Sequence, residues 1–260
     1  MTETVGLIVG SGFALLGFEV AARSPTKTPY GEPSSPVLTV QIGEQRVACI
    51  ARHGERHAVA PHEINYRANL WALHERGVRT CIGVNTVGAI AHGFAPADLA
   101  VPDQLIDYTW GRVGTFGGDR NVMHVDFTEP FDPTLRGRLA AAVDDCGYGA
   151  RRGTYGVTQG PRLETAAEID RLERDGCAMV GMTAMPEAAL ARELGWAYAI
   201  CAVAVNYAAG RSPGGLPIMA EIAASMTLGM RRIAEVVRRV TPSLPACDAC
   251  HRPEMLGDRT

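Results

Sequence analysis

Short apolar runs rich in β-branched residues alternate along this chain with longer stretches of helical periodicity, and this alternation restricts the fold more than any other feature. Val5-Gly-Leu-Ile-Val9 reads as a buried strand that runs into Gly10-Ser11-Gly12. Residues 37–42 and 46–51 flank Gly43-Glu44-Gln45 and predict a hairpin. A helix is expected over 62–76, where Ile64, Ala68, Trp71 and Ala72 share a face before Gly77. Further strands are expected at 80–84, 153–158, 178–182 and 198–205, and further helices at 133–146, 164–175, 186–194 and 217–240. Strands that alternate with helices predict an α/β protein, a mixed and mostly parallel β-sheet flanked by helices. The 260 residues suit a single domain over 1–241, with 242–260 as a loose tail of prolines and charges without periodicity.

Composition narrows the function. With 47% hydrophobic and 20% charged residues the chain is globular material rather than disordered. A formal charge of −3 and 6% aromatic residues argue against nucleic-acid binding and against a polybasic membrane contact. The longest uncharged stretch, Val5 to Phe18, is too short for a membrane-spanning helix. Glu3 before it and the lack of a basic leader speak against a secretory signal. Cys49, Cys81 and Cys201 fall inside apolar runs, as free thiols do, and the chain reads as cytoplasmic.

Ligands of open α/β sheets gather at the carboxyl ends of strands, and several such ends here are polar or glycine-rich. Gly10-Ser11-Gly12 lets backbone and hydroxyl approach an anion, though it is neither a P-loop nor a dinucleotide fingerprint. Ala51-Arg52-His53-Gly54-Glu55-Arg56-His57 supplies a guanidinium fork suited to phosphate oxygens and an imidazole. A solvated charged loop, a metal site at His53, His57 and His62, and a histidine-phosphatase motif are the competing readings of that segment. Val84-Asn85-Thr86-Val87-Gly88, Thr158 to Thr165, Gly181 to Glu187, and Val205-Asn206 add hydroxyls, amides and carboxylates. Thr183 can also be read as a helix N-cap, and Glu164 as a carboxylate in a helix first turn. Cys247-Asp-Ala-Cys250-His251 in the tail has the spacing of a c-type haem attachment or a zinc half-site; an incidental pair is the simpler reading.

The segments Gly10-Ser11-Gly12, Thr28-Pro29-Tyr30-Gly31, Ala51-Arg52-His53-Gly54, Asn65-Tyr66-Arg67-Ala68-Asn69, Gln159-Gly160-Pro161-Arg162 and Gly181-Met182-Thr183-Ala184-Met185-Pro186-Glu187 carry a family resemblance. In their order and spacing the chain resembles the trimeric purine nucleoside phosphorylases and methylthioadenosine phosphorylases over about residues 5 to 240, most closely the bacterial branch acting on S-methyl-5′-thioinosine. The resemblance implies a phosphate site of Ser11, Arg52, His53, Asn85, Thr86 and Thr183, and Met182 beneath the ribose. It implies that Asn206 and Glu164 read the purine with Ala208 also at the substrate, and that Asn206, Glu164 and His53 carry the catalysis. Met219 and Ile222 are expected to form an apolar wall around the 5′ substituent, and His124 to reach a neighbouring subunit's site in a homotrimer. The implied reaction is attack of inorganic phosphate on the anomeric carbon, without metal or organic cofactor and without partners beyond nucleoside and phosphate.

The base preference follows from two positions. Adenine-type members carry Asp where Asn206 stands and another Asp where this chain has Ala208. An amide donates well to a 6-oxo group, and a carboxylate at 164 accepts from N1–H, which only a 6-oxopurine bears. Mispairing either costs about 1–3 kcal/mol, so 6-oxopurine nucleosides rank ahead of methylthioadenosine. The apolar Met219 and Ile222 would leave a buried 5′-hydroxyl unpaired, which puts S-methyl-5′-thioinosine ahead of inosine or guanosine. A nucleoside-binding protein without turnover is the non-enzymatic alternative, and phosphate donors would serve no purpose in it. Tyr207 and Pro213-Gly214-Gly215-Leu216-Pro217 depart from the family's pattern in the loop before the last helix.

Overall fold

The computed structural model describes residues 5–118, 122–214 and 217–244. Strand β1 (Val5–Val9) is buried along its whole length. It is followed by β2 (Glu19–Ser24), β3 (Val37–Ile42) and β4 (Gln45–Ala51), then helix α1 (Tyr66–Glu75) and β5 (Thr80–Ala89). Two short strands, β6 (Leu99–Ala100) and β7 (Gln104–Asp107), precede α2 (Pro133–Asp145). The second half alternates β8 (Thr154–Val157), α3 (Ala166–Arg174), β9 (Cys177–Gly181), α4 (Ala184–Glu193), β10 (Ala197–Tyr207) and α5 (Ile218–Val240).

Helix starts follow local side-chain chemistry. Asn65 caps α1 by accepting from the Ala68 N–H, so that helix begins at Tyr66 and not at His62 as the periodicity predicts. Asp132 caps α2 ahead of Pro133, which has no N–H to leave unpaired. Thr165 and Glu168 form a reciprocal capping box on α3. Glu164 therefore lies before the cap, correcting its expected place in the first turn. Only the Ile169 and Leu172 side of α3 is buried.

The described strands form one mixed sheet in the order β2-β3-β4-β1-β5-β9-β8-β7, with β10 also paired to β5 and β6 paired to β10. Parallel pairs join β1 to β4, β1 to β5, β5 to β10, β7 to β8 and β8 to β9. The expected α/β architecture is the one observed. β5 is the hinge of the arrangement. Residues 80–84 pair with β1, residues 88–89 pair antiparallel with β9, and β10 accompanies the strand along its other edge. This brings the ends of β1, β4, β9 and β10 to the middle of β5.

The strand at 80–84 thus runs on to Ala89, through the polar Asn85-Thr86 pair at which the apolar pattern breaks. The largely exposed β2 and the short β6 and β7 carry too little apolar pattern to be visible in sequence. Packing continues to Leu244, which is buried against the core three residues beyond the expected end of the domain. The cysteine-containing tail segment, 247–251, lies outside the described residues.

Candidate active site

A cavity of about 440 Å³ opens where these strand ends meet, large enough for a small organic ligand. Gly10 and Ser11 after β1, Arg52 and His53 after β4, Thr86 and Gly88 of β5, Met182 and Thr183 after β9, and Asn206 of β10 all line it. Glu164, His57 and Ile222 complete its wall. Residues from seven separated segments of the chain are brought together here.

Arg52 departs from its expected role as an open fork. The guanidinium is 1% exposed and its fork is taken by Glu187, with Nε donating to Oε2 at 3.0 Å and Nη2 to Oε1 at 2.8 Å. Nη2 also donates to Ile8 O and to Asn85 Oδ1, and Nη1 donates to Val84 O at 2.8 Å. One Nη1 hydrogen is left for a ligand. Burial disfavours the charge, but the Glu187 carboxylate outweighs it and holds the guanidinium above its ordinary pKa. A buried cation needs such a partner, because an unpaired one costs several kcal/mol, about 3–5 where a buried pair is broken.

His53 is held through its other nitrogen. Nδ1 lies 2.8 Å from Val59 O, a carbonyl that can only accept, so Nδ1 carries the proton. Among the described residues Nε2 has no hydrogen-bond partner, and it offers a lone pair when the ring is neutral. Burial is the largest influence on this ring and, with Arg52 and His57 adding to it against the opposing Val59 carbonyl, brings its pKa down to about 4. At neutral pH an anion meeting Nε2 must therefore bring its own hydrogen to that contact, as hydrogen phosphate does.

The remaining donors are equally specific. Asn85 does not line the cavity: its Oδ1 accepts from Arg52 and its Nδ2 donates to Thr183 Oγ1 at 3.0 Å. The expected phosphate contact of Asn85 is thereby replaced by a supporting one. Thr183 occupies the N-cap of α4 but makes no side-chain capping bond; its Oγ1 accepts from Asn85, which leaves the hydroxyl hydrogen to be donated elsewhere. Ser11 Oγ sits 2.8 Å from His57 Nε2, and His57, which the sequence places only in the competing metal reading, has a left-handed backbone at φ 54. His53 and His57 lie side by side with ring centroids 4.9 Å apart, yet the described residues contain no group of three His, Cys, Asp or Glu arranged to hold a metal.

Glu164 and Asn206 form the second part of the site. Glu164 Oε1 accepts from the Thr158 hydroxyl at 2.5 Å, which leaves Oε2 to accept from a ligand. Asn206 Nδ2 donates to Tyr207 O at 2.7 Å, so one Nδ2 hydrogen and Oδ1 face other partners. Glu221 of α5 fixes this end of β10, accepting from Tyr207 N–H at 2.9 Å and from the Ser212 hydroxyl at 2.5 Å. Met182 is seated over Gly160, where φ is +62 and an added Cβ would stand 2.5 Å from the sulfur. Arg112 ties the same region together by donating to the carbonyls of Met182, Met185 and Gln159.

Besides Asn85, three further expected residues are not brought to this cavity. Met219 lies in the first turn of α5 and is 69% exposed, whereas Ile222, one turn on, faces inward. Ala208 is buried behind the site among Ile90, Ile169, Leu172 and Val180. His124 is exposed and is not among the lining residues. Tyr198, Arg112 and Glu221 contribute to the site without a motif that marks them in sequence, and Glu187 closes the Gly181 to Glu187 motif without a role expected for it. Glu187 carries one signal: a carboxylate between Pro186 and Ala188 on an otherwise apolar helix face requires a buried cation.

Known proteins resemble this chain both in sequence and in fold. Residues 4–242 match the family described as the phosphorylase superfamily. The chain is 49% identical to a probable S-methyl-5′-thioinosine phosphorylase of Xylella fastidiosa (strain Temecula1) over 92% of this chain and 98% of that protein. It is 41% identical to the 6-oxopurine nucleoside phosphorylase of Pyrococcus furiosus over 98% of each. The solved structure of methylthioadenosine phosphorylase from Schistosoma mansoni in complex with adenine superposes with a TM-score of 0.88 at 28% identity, covering 95% of this chain and 93% of that one. By sequence and by fold alike, the chain belongs to the phosphorylase superfamily.

Proposed function

We propose that this phosphorylase cleaves the N-glycosidic bond of a 6-oxopurine nucleoside with inorganic phosphate, and that S-methyl-5′-thioinosine is its preferred substrate, giving hypoxanthine and 5-methylthioribose 1-phosphate. The observation that carries this reading is one cavity lined both by Ser11, Arg52, His53 and Thr183 and by Glu164 and Asn206. The similar proteins from Xylella fastidiosa and Pyrococcus furiosus, named for thioinosine and 6-oxopurine nucleosides, support the base assignment.

Phosphate is held by the Ser11 and Thr183 hydroxyls and the remaining Arg52 N–H, and donates its own hydrogen to His53 Nε2. Its oxygen attacks the anomeric carbon as the bond to the purine breaks. The purine leaves with the bonding electron pair and takes up, by way of solvent, the proton that hydrogen phosphate gives up, which yields neutral hypoxanthine. The remaining Asn206 N–H stabilises the charge that grows on the 6-oxo group, and Glu164 Oε2 accepts from N1–H. Positioning and electrostatics supply the catalysis, with phosphate as co-substrate and no cofactor. In the same reading the protein is a cytoplasmic homotrimer, and His124 belongs to the 5′ end of a neighbouring subunit's site.

Because Met219 faces outward, Ile222 is left as the apolar side chain of α5 beside the substrate, and inosine or guanosine is the second reading. Measuring kcat/KM for methylthioinosine, inosine and methylthioadenosine at fixed phosphate ranks the three. Methylthioinosine is expected first, inosine second and methylthioadenosine last; a preference for methylthioadenosine would overturn the base assignment. Purine release in the absence of phosphate, or none in its presence, would overturn phosphorolysis itself.

A further inference from the structure

The buried ion pair beneath the cavity has a consequence for how phosphate is recognised. Glu187 is wholly buried and accepts three bonds, two from Arg52 and one from the Tyr198 hydroxyl at 2.6 Å. The fork–fork contact fixes the plane of the guanidinium and aims its last Nη1 hydrogen. Nη1 lies where an added Cβ on Gly10 would come within 2.7 Å, so the glycine makes room for it at the cavity wall. The network continues from Arg52 Nη2 to Asn85 Oδ1 and from Asn85 Nδ2 to Thr183 Oγ1. Since Thr183 Oγ1 accepts there, its own hydrogen is turned to another partner. Thr183 is the N-cap of α4 and Glu187 follows four residues on, across the kink at the non-helical Met185, so one short segment supplies both the cavity hydroxyl and the carboxylate beneath it.

We propose that Glu187, braced by Tyr198, is the positioning residue of the phosphate site: it sets the single free N–H of Arg52 and, through Asn85, the hydroxyl of Thr183. The inference rests on the phosphorolysis reading and deepens it. With its charge already paired, Arg52 binds phosphate by direction more than by net charge. Disturbing Glu187 therefore affects phosphate selectively and leaves the nucleoside contacts of Asn206 and Glu164 in place.

The test is steady-state kinetics on Glu187→Gln and Tyr198→Phe, varying phosphate at saturating nucleoside and nucleoside at saturating phosphate, with inosine or methylthioinosine as substrate. Glu187→Gln keeps the shape but loses the charge and one acceptor; its phosphate KM is expected to rise about tenfold or more, and its nucleoside KM by less than about twofold. Tyr198→Phe removes one brace and is expected to raise the phosphate KM about threefold. Should Glu187→Gln fail to fold, Tyr198→Phe decides. An unchanged phosphate KM, or an equal rise in both KM values, would overturn the proposal. A wild-type rate independent of phosphate would instead overturn the functional reading, and this inference with it.

Discussion

At the scale of single residues, chemistry in this protein is set by what each polar group has left after its protein partners are counted. Asn206 retains one amide hydrogen and a carbonyl, which suits a 6-oxo group. Replacing it with Asp removes that donor, and Asn206→Asp is expected to lower kcat/KM for the 6-oxopurine nucleoside on the order of ten- to a hundredfold relative to the 6-amino analogue. Paired assays on inosine and adenosine, or on their methylthio counterparts, read the change. A full switch to adenine is not expected, because Ala208 is turned into the second core cluster and offers no additional group.

His53 gives a pH-dependent prediction. Its folded pKa of about 4 lies below the ordinary value of 6.5, so between those values the unfolded chain binds a proton that the native chain refuses. The contribution of the neutral ring to stability is complete above pH 6.5 and is lost as pH falls toward 4. Denaturant titrations at pH 4.5 and pH 7.5 should show wild type losing more stability on acidification than His53→Asn, by on the order of 2–3 kcal/mol. Equal losses in the two proteins would remove His53 as the cause.

At the scale of elements, local sequence and tertiary packing divide the work. The capping box of α3 is local, built from Thr165 and Glu168. Thr165→Ala should cost about 1 kcal/mol in chemical denaturation, and a loss below a few tenths would mean that packing of Ile169 and Leu172 alone holds the helix. The strands are legible because their apolar runs are continuous, as buried strands of mixed sheets require. Periodicity misplaces the limits of α1 and α3 where a cap outcompetes it, at Asn65 and at Thr165. Helix α5 shows the opposite failure. The apolar positions from Ile222 to Val237 turn inward, yet extending that stripe by one turn to Met219 is wrong, since the buried face of the first turns runs through Glu221 and Ser225 and Met219 lies off it.

At the scale of the whole molecule, the motifs in the sequence indicate which strand ends carry chemistry, and the sheet brings them to one cavity because β5 adjoins β1, β9 and β10. The sequence by itself determined the alternation of elements, most helix starts, and the kinds of group at each strand end, because these depend on residues close together in the chain. Only the tertiary structure decided which groups stay available. Arg52 and Glu187 are 135 residues apart, and their pairing turns an apparent phosphate fork into a guanidinium with one hydrogen to give. Burial makes such partners compulsory, and which partner is met depends on how the strands are ordered, a property that no local stretch of sequence contains.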